Sequence, residues 1–326
     1  MKNLIPITLA ATLVASGISS AQTPAYSKPS GYVTQQLQPG FNLVGLTLQT
    51  APAFSGQVSG VSGSTITLSS AVSSVLPSGK TFILEVSSGV ASGIVQEFTQ
   101  FSGSAITLPT SIAGLANNDL VVIRIAPTLE EVFGTLLQSQ ATAGGSDIVW
   151  IPSGSGAYDR YYRKTPLFGA ASWKKVGNPE LDAPNTPLVY LDGMFVEVKS
   201  SAKTLTVAGT VKVTPSKFSI STGFNLVGTT FPVGSTLSSS GLQSVLQTQA
   251  TLGGSDVVWI STQPGSFTKY FYKTPLFGTP TWVSVVNNVQ TDIQGSTITV
   301  PGSVFIERKG VTKVVTITPP VSYNSL

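Results

Sequence analysis

Residues 137–173 read LQSQATAGGSDIVWIPSGSGAYDRYYRKTPLFGAASW, and residues 246–282 read LQTQATLGGSDVVWISTQPGSFTKYFYKTPLFGTPTW. The two stretches align without a gap, and more than half of their positions are identical, so the chain holds two copies of one unit. Each copy also carries its own strand pattern. Asp147 to Ile151, Tyr158 to Lys164 and Trp173 to Val176 are short β-branched and aromatic runs separated by Gly, Ser and Pro, which predicts three strands per copy. Upstream, GFNLVG at 40–45 returns at 223–228, a spacing of 183 residues against 109 for the long block. The first unit therefore holds 74 additional residues after its first strand. Downstream, FVEVK at 195–199 matches FIERK at 305–309, and Thr204 to Val213 closes the first unit as a further strand.

The additional segment has a repeat of its own. SGSTITL at 62–68 returns as SGSAITL at 102–108, each followed by a turn-rich stretch and a strand, Thr81 to Val86 and Val121 to Ile125. Two hairpin-like halves in tandem predict a small pseudo-symmetric barrel or sandwich, inserted with its ends close together. The one strong helix signal is Thr128-Leu129-Glu130-Glu131, a capping box in which Thr and Glu side chains satisfy free N–H groups. Leu129, Val132, Phe133, Leu136 and Leu137 follow as one apolar stripe, predicting a helix that ends at Gly144-Gly145. The second copy keeps Leu242, Val245 and Leu246, with a weaker box at Ser240 and Gln243 and a stop at Gly253-Gly254. The expected fold is mainly β: two tandem sandwich-like or barrel-like units, each with one short helix. The first unit is discontinuous (22–49 and 128–213), the insert spans 50–127, and the second unit spans 214–326.

Composition narrows the function. Met1-Lys2, an apolar run from Leu4 to Ala15, and Ser19-Ser20-Ala21 read as a secretory signal peptide over 1–21, so the protein is expected at the cell surface, in the outer envelope or in the periplasm. No later segment is apolar and long enough for a transmembrane helix. Only 10% of the residues are charged, and the excess of Lys and Arg is too small to call for nucleic acid. With no Cys, packing alone must hold an exported chain together. With no His, Ser-His-Asp triads and His-ligated zinc or iron are excluded. No cofactor or metal is called for.

Several groups are candidates for contact with a partner. Tyr158, Tyr161, Tyr162 and Trp173 in the first unit, and Tyr270, Tyr272 and Trp282 in the second, could stack on sugar rings, although alternation along a strand also places such rings in a core. Trp150 and Trp259 read as core. Arg160, Arg163, Lys164, Lys174 and Lys175 could meet a polyanion or form a solvated strand face. Asp147 and Asp256 follow Gly-Gly-Ser in both copies; one carboxylate per loop is too few for Ca²⁺, and an Asx-type turn explains them. Ser200–Lys203 and Ser266–Lys269 have Ser-x-x-Lys spacing but start no helix. Glu130-Glu131, the only adjacent acidic residues, belong to the capping turn.

The run of GFNLVG, TLEEVFG, GGSD-VVWI, a YYxK strand and a later Trp resembles a family of uncharacterised exported tandem-repeat proteins typical of verrucomicrobia-type bacteria. The resemblance implies export and a repeated β architecture, and brings no activity or catalytic residue. The expected function is a non-enzymatic structural or interaction protein that self-associates or binds envelope components. A carbohydrate-binding module is the alternative, and an outer-membrane β-barrel a more distant one. Mass spectrometry of the native protein is expected to find the mature N-terminus at or within a residue or two of Gln22; an intact Met1 on the envelope-associated protein would contradict export by cleavage.

Overall fold

Alternation of apolar and polar residues places one face of each strand toward a core, and the turn-forming Gly, Asn and Pro between strands bring neighbours into antiparallel pairs. The computed structural model describes residues 30–153, 156–230 and 235–319. The expected signal peptide, residues 22–29 of the first unit and residues 320–326 of the second lie outside them. The chain is mainly β. It begins with β1 (Ser30–Leu37), β2 (Gly40–Gly45) and β3 (Leu48–Gln49). It then enters the segment of β4 (Pro52–Ser62), β5 (Thr65–Leu68), β6 (Phe82–Val86), β7 (Val95–Phe98), β8 (Gln100–Ser102), β9 (Ala105–Thr107) and β10 (Leu120–Ile125). Helix α1 (Leu129–Phe133) leads into β11 (Ile148–Pro152), β12 (Tyr158–Lys164), β13 (Ser172–Lys175), β14 (Leu181–Asp182), β15 (Gly193–Val198) and β16 (Lys203–Val211). The second unit holds β17 (Ser216–Ile220), β18 (Gly223–Gly228), α2 (Leu242–Val245), β19 (Val257–Gln263), β20 (Ser266–Lys273), β21 (Thr281–Val286), β22 (Val289–Ile293), β23 (Ser303–Arg308) and β24 (Lys313–Ile317).

Both units have the same topology. The first forms a six-stranded antiparallel sheet in the order β14-β13-β12-β11-β15-β2, and the second the order β22-β21-β20-β19-β23-β18. Opposite each sheet lies a smaller one, β1-β16-β3 in the first unit and β17-β24 in the second. The first core joins Val149, Tyr161, Trp173 and Val196 of the sheet to Leu37 and Leu205 of the smaller sheet and to Leu129 and Phe133 of α1. Its counterpart joins Val258, Tyr270, Trp282 and Ile306 to Ile220 and Val315 and to Leu242.

Strands β4 to β10 form one sheet over a core of their own. The long β4 pairs with β10 through its first half and with β5 through its second. Only Thr99 separates β7, which pairs with β6, from β8, which pairs with β9. With β5 on β9 and β6 on β10, the circuit closes as a barrel. Ile66 lies opposite Ile106, its counterpart in the internal repeat, and Leu84 lies opposite Ile123, as a pseudo-two-fold axis requires. Gly63 and Gly103 turn the two equivalent hairpins at φ of +60° and +58°. The Thr50 hydroxyl donates to Ile125 O at 2.9 Å, so the ends of the segment meet.

The helices differ from the sequence expectation. The Thr128 box forms: Glu131 N–H donates to Thr128 Oγ1 at 3.3 Å, and Thr128 N–H to the Glu131 carboxylate at 2.8 Å. The helix then stops after five residues, because Gly134 takes φ +47°. Leu137 still reaches the core, from irregular chain, and Gly144-Gly145 and Gly253-Gly254 lie in separate 3₁₀ turns. In the second copy the reciprocal pair is Thr236 and Ser239, at 2.8 and 3.3 Å, and not Ser240 and Gln243. Gln243 instead donates to Ser238 O, and left-handed Gly241 begins a separate one-turn α2. Among the described residues no helix is long and apolar enough to cross a membrane.

Trp150 and Trp259 are not core residues of their units. They sit on the opposite face of each large sheet, half-buried, at the seam where the units meet. Phe41 packs on Trp150 and Phe195, and Phe224 on Trp259 and Phe305, with matching centroid distances of 5.6 and 6.2 Å. Phe195 and Phe305, equivalent in the repeat, touch each other at 5.2 Å. The final Gly of each GFNLVG stands where backbone from the other unit crosses: a Cβ on Gly45 would lie 1.9 Å from Gly302 O, and one on Gly228 2.5 Å from Tyr190 O. Truncating a core tryptophan removes packing that no disulfide replaces. Trp173→Ala is therefore expected to cost about 3–5 kcal/mol in urea unfolding, and Trp150→Ala distinctly less; the reverse order would overturn this assignment of faces.

Candidate functional site

The residues proposed for sugar stacking separate sharply in the structure. Trp173 and Trp282 are 1% and 2% exposed and Tyr162 is fully buried. Tyr161 and Tyr270 also lie in the cores, and Tyr272 packs edge-on against Trp282 at 5.4 Å. None of these offers a ring face to a polymer: alternation turns Tyr161, Trp173, Tyr270 and Trp282 into the two cores, and Tyr162, on the other face of β12, is covered as well. The polar tips are used internally as well: Trp173 Nε1–H donates to Glu130 at 2.8 Å, and the Tyr162 hydroxyl donates to Glu180. Burial, then that bond to Glu180, pushes the Tyr162 phenol well above its usual range. Tyr158 lines an open cleft, and Tyr161 reaches the edge of a smaller concavity beside it.

The proposed polyanion patch is largely neutralised. Arg163 pairs with Glu130 at 3.4 Å, Lys164 with Glu180 at 2.7 Å, Lys175 with Asp159 at 2.6 Å, and Lys174 with Asp182. Only Arg160 is left, and its guanidinium lies 5.3 Å from the centre of the Trp150 ring. Lys269 takes the same place over Trp259 at 4.5 Å. The Ser-x-x-Lys spacings form no dyad: Ser200 donates to Gln138 Oε1, and Lys269 is committed to its tryptophan.

Asp147 and Asp256 are fully buried, and their role is wider than a local turn. Asp147 accepts the N–H groups of Gln138 and Lys199, both at 2.7 Å, which ties the segment after α1 to the end of β15. Asp256 accepts from Gln247 at 2.7 Å and Lys309 at 2.8 Å, and the Arg308 guanidinium joins it. No group of carboxylates able to hold a metal occurs among the described residues.

One concavity was not legible in the sequence, because three separate lobes build it. It is a cleft of about 910 Å³ with walls from β7, from the β11–β12 hairpin end and residues 189–192, and from β17 and β18. Glu97, Tyr158, Asp192, Lys217, Phe218 and Phe224 line it. Clefts between lobes, with apolar walls and a few polar groups, are common places for ligands. Lys217 is held by the barrel, donating Nζ–H to Val90 O at 2.6 Å. Glu97 and Asp192 make no ion pair among the described residues. Burial pushes the Glu97 carboxyl up, while burial and the nearby Glu97 charge push Asp192 up to about 6.

No protein-family model, no curated protein and no solved structure matches the chain.

The cleft carboxylates have a consequence for stability. Over the window between an ordinary aspartate value and about 6, the folded chain keeps a proton on Asp192 that the unfolded chain has released. Raising the pH through that window therefore weakens the fold, and Asp192→Asn is expected to flatten this part of the profile and melt higher at neutral pH. Thermal melts of both proteins from about pH 4 to about pH 7 would show it; parallel profiles would exclude a raised Asp192.

Proposed function

We propose that this chain is a non-enzymatic structural or interaction protein of the cell surface or envelope, exported by its signal peptide and assembling with copies of itself. It would belong with the exported tandem-repeat proteins of verrucomicrobia-type bacteria that its motifs resemble. The observation that carries self-association is the free edge of β1. Among the described residues this strand of eight, SGYVTQQL, is paired on one side only, with β16, and its sequence contains no charged residue. An uncharged free edge offers unpaired N–H and C=O groups to another strand, and natural edges are usually guarded by charge or Pro. Its counterpart in the second unit, β17, is covered by the barrel: Lys217 bridges Ile94, and its N–H donates to Gly93 O at 2.8 Å. Tyr32, 73% exposed on β1, adds an apolar ring beside that edge.

A second reading, a saccharide-binding module, draws support from the position of Tyr158 and Phe224 in the three-lobed cleft. It moves the sugar site away from the buried rings of β12, β13, β20 and β21.

Light scattering after size exclusion tests the leading reading. The mature protein is expected to gain mass with concentration, and the Tyr32→Lys, Thr34→Lys variant to remain a monomer with an unchanged melting temperature. A wild-type monomer at every concentration would sink self-association through β1.

A further inference from the structure

Most residues kept identical between the two units have an internal partner. Asn42 and Asn225 close the same loop, each accepting a backbone N–H at 2.8 Å and donating to the C=O of the same residue at 2.7 Å. Asp147 and Asp256 clamp strands, Gly45 and Gly228 admit a crossing backbone, and Trp173 and Trp282 fill cores. The sequence KTPLFG, at 164–169 and 273–278, is the longest run of identity within the aligned blocks, and its central pair has no such explanation. Leu167 and Phe168 are 90% and 92% exposed, and Leu276 and Phe277 90% and 93%.

These turns are firmly built. Thr165 N–H donates to Gln140 O at 2.9 Å and Thr274 N–H to Gln249 O at 3.1 Å. The Thr165 hydroxyl donates to Ser139 at 2.8 Å, and that of Thr274 to Thr248 at 3.0 Å. Gly169 and Gly278 reverse the chain at φ of +97° and +103°. The opposite ends of β12 and β20 lie against the other unit: Gly265 N–H donates to Phe41 O at 3.0 Å, while Gly156 and Tyr158 line the cleft with Gly223 and Phe224. A strand of seven or eight residues spans roughly 20–25 Å, so each Leu-Phe tip projects well away from the seam.

We propose that the twin Leu-Phe tips are lipid-docking elements, which insert into the interfacial zone of a bilayer. Area argues against a protein partner: a Leu and a Phe side chain offer roughly 300–400 Å² per tip, at most about half of the ~800 Å² that each side of a stable protein interface buries. A protruding tip also brings no surrounding surface to complete such an interface. A fluid bilayer needs no complementary surface, and an aromatic beside an aliphatic side chain suits its headgroup boundary. Charge agrees with this occupant. The turn itself is uncharged, and the lysines at its base are paired, Lys164 with Glu180 at 2.7 Å and Lys273 with Asp292 at 3.9 Å. Docking is therefore apolar and largely independent of anionic lipid.

Co-sedimentation of the mature protein with phosphatidylcholine vesicles, with and without phosphatidylglycerol, tests this. Binding is expected to both, and to change little with salt. The Leu167→Ser, Phe168→Ser variant and the Leu276→Ser, Phe277→Ser variant should each bind roughly tenfold more weakly, and the fourfold variant should fall to background with wild-type melting. In Phe168→Trp, emission should shift to the blue when vesicles are added, beyond any shift of the wild type. The Tyr32→Lys, Thr34→Lys protein should bind vesicles normally, so that failure of self-association through β1 and failure of lipid docking are separate results. Wild-type protein that stays in the supernatant, or a fourfold variant that sediments as well as wild type, would overturn the proposal. Loss of self-association in the tip variants without any vesicle binding would assign the tips to a protein contact instead.

Discussion

The Glu85 carboxylate, 2% exposed, sits where the barrel meets both units. It accepts from Lys212 Nζ, from the Thr214 hydroxyl, from the Tyr190 hydroxyl at 3.1 Å and from Gln49 at 3.3 Å, with Arg124 4.0 Å away. Glu85 and Arg124 belong to the barrel, Gln49 and Tyr190 to the first unit, and Lys212 and Thr214 to the connection into the second. Burial alone would push the Glu85 carboxyl up, but Lys212, Thr214 and Arg124 together hold it below its ordinary value. A charge withdrawn from water in this way is tolerated only while its partners stay in place, and losing one of them leaves the others uncompensated. In a chain without disulfides, this network ties the barrel to the first unit and to the connection into the second, and so helps to set the walls of the cleft.

The seam between the units works by a different principle. It is a contact of two duplicated sheets, with Phe195 on Phe305 and a matching ring cluster on each side. Duplication gives such a seam both halves at once: a residue that suits one sheet meets its own counterpart across a pseudo-two-fold axis. The barrel repeats the device on a smaller scale, with Ile66 on Ile106. The same logic accounts for the glycines at the ends of GFNLVG, where the two backbones approach too closely for any side chain.

Against this background the divergence between units is informative. Arg308 compensates Asp256, whereas Val198 stands at the matching position and Asp147 is held by backbone N–H groups alone. At the hairpin ends that reach the opposite unit, Ala157-Tyr158-Asp159-Arg160 and Ser266-Phe267-Thr268-Lys269 have drifted apart, while the exposed TPLFG tips have not changed. Internal packing does not account for side chains that are 90% or more exposed. The two faces of this protein thus follow different constraints, one set by the fold and one by whatever the tips meet.

The sequence by itself determined the duplication, the mainly β class, the inserted segment with its own repeat and the Thr128 capping box. Each of these is a local pattern or a comparison of one stretch with another. Strands read from alternation matched closely, as with Tyr158 to Lys164. Period-2 alternation shows that two faces exist but not which is covered, so Trp150 and Trp259 were placed inside and Trp173 and Trp282 among the possible platforms, the reverse of their true positions. The helix stripe ran past Gly134 because apolar spacing does not distinguish one helical turn from irregular chain that reaches the same core. The basic residues looked free because their carboxylate partners, such as Glu180 and Asp182, come from a neighbouring strand and its approach. The cleft, the Glu85 network and the seam depend on contacts between residues about 35 or more positions apart, and only the tertiary structure decides those, because burial and pairing belong to the packed chain and not to any window of sequence.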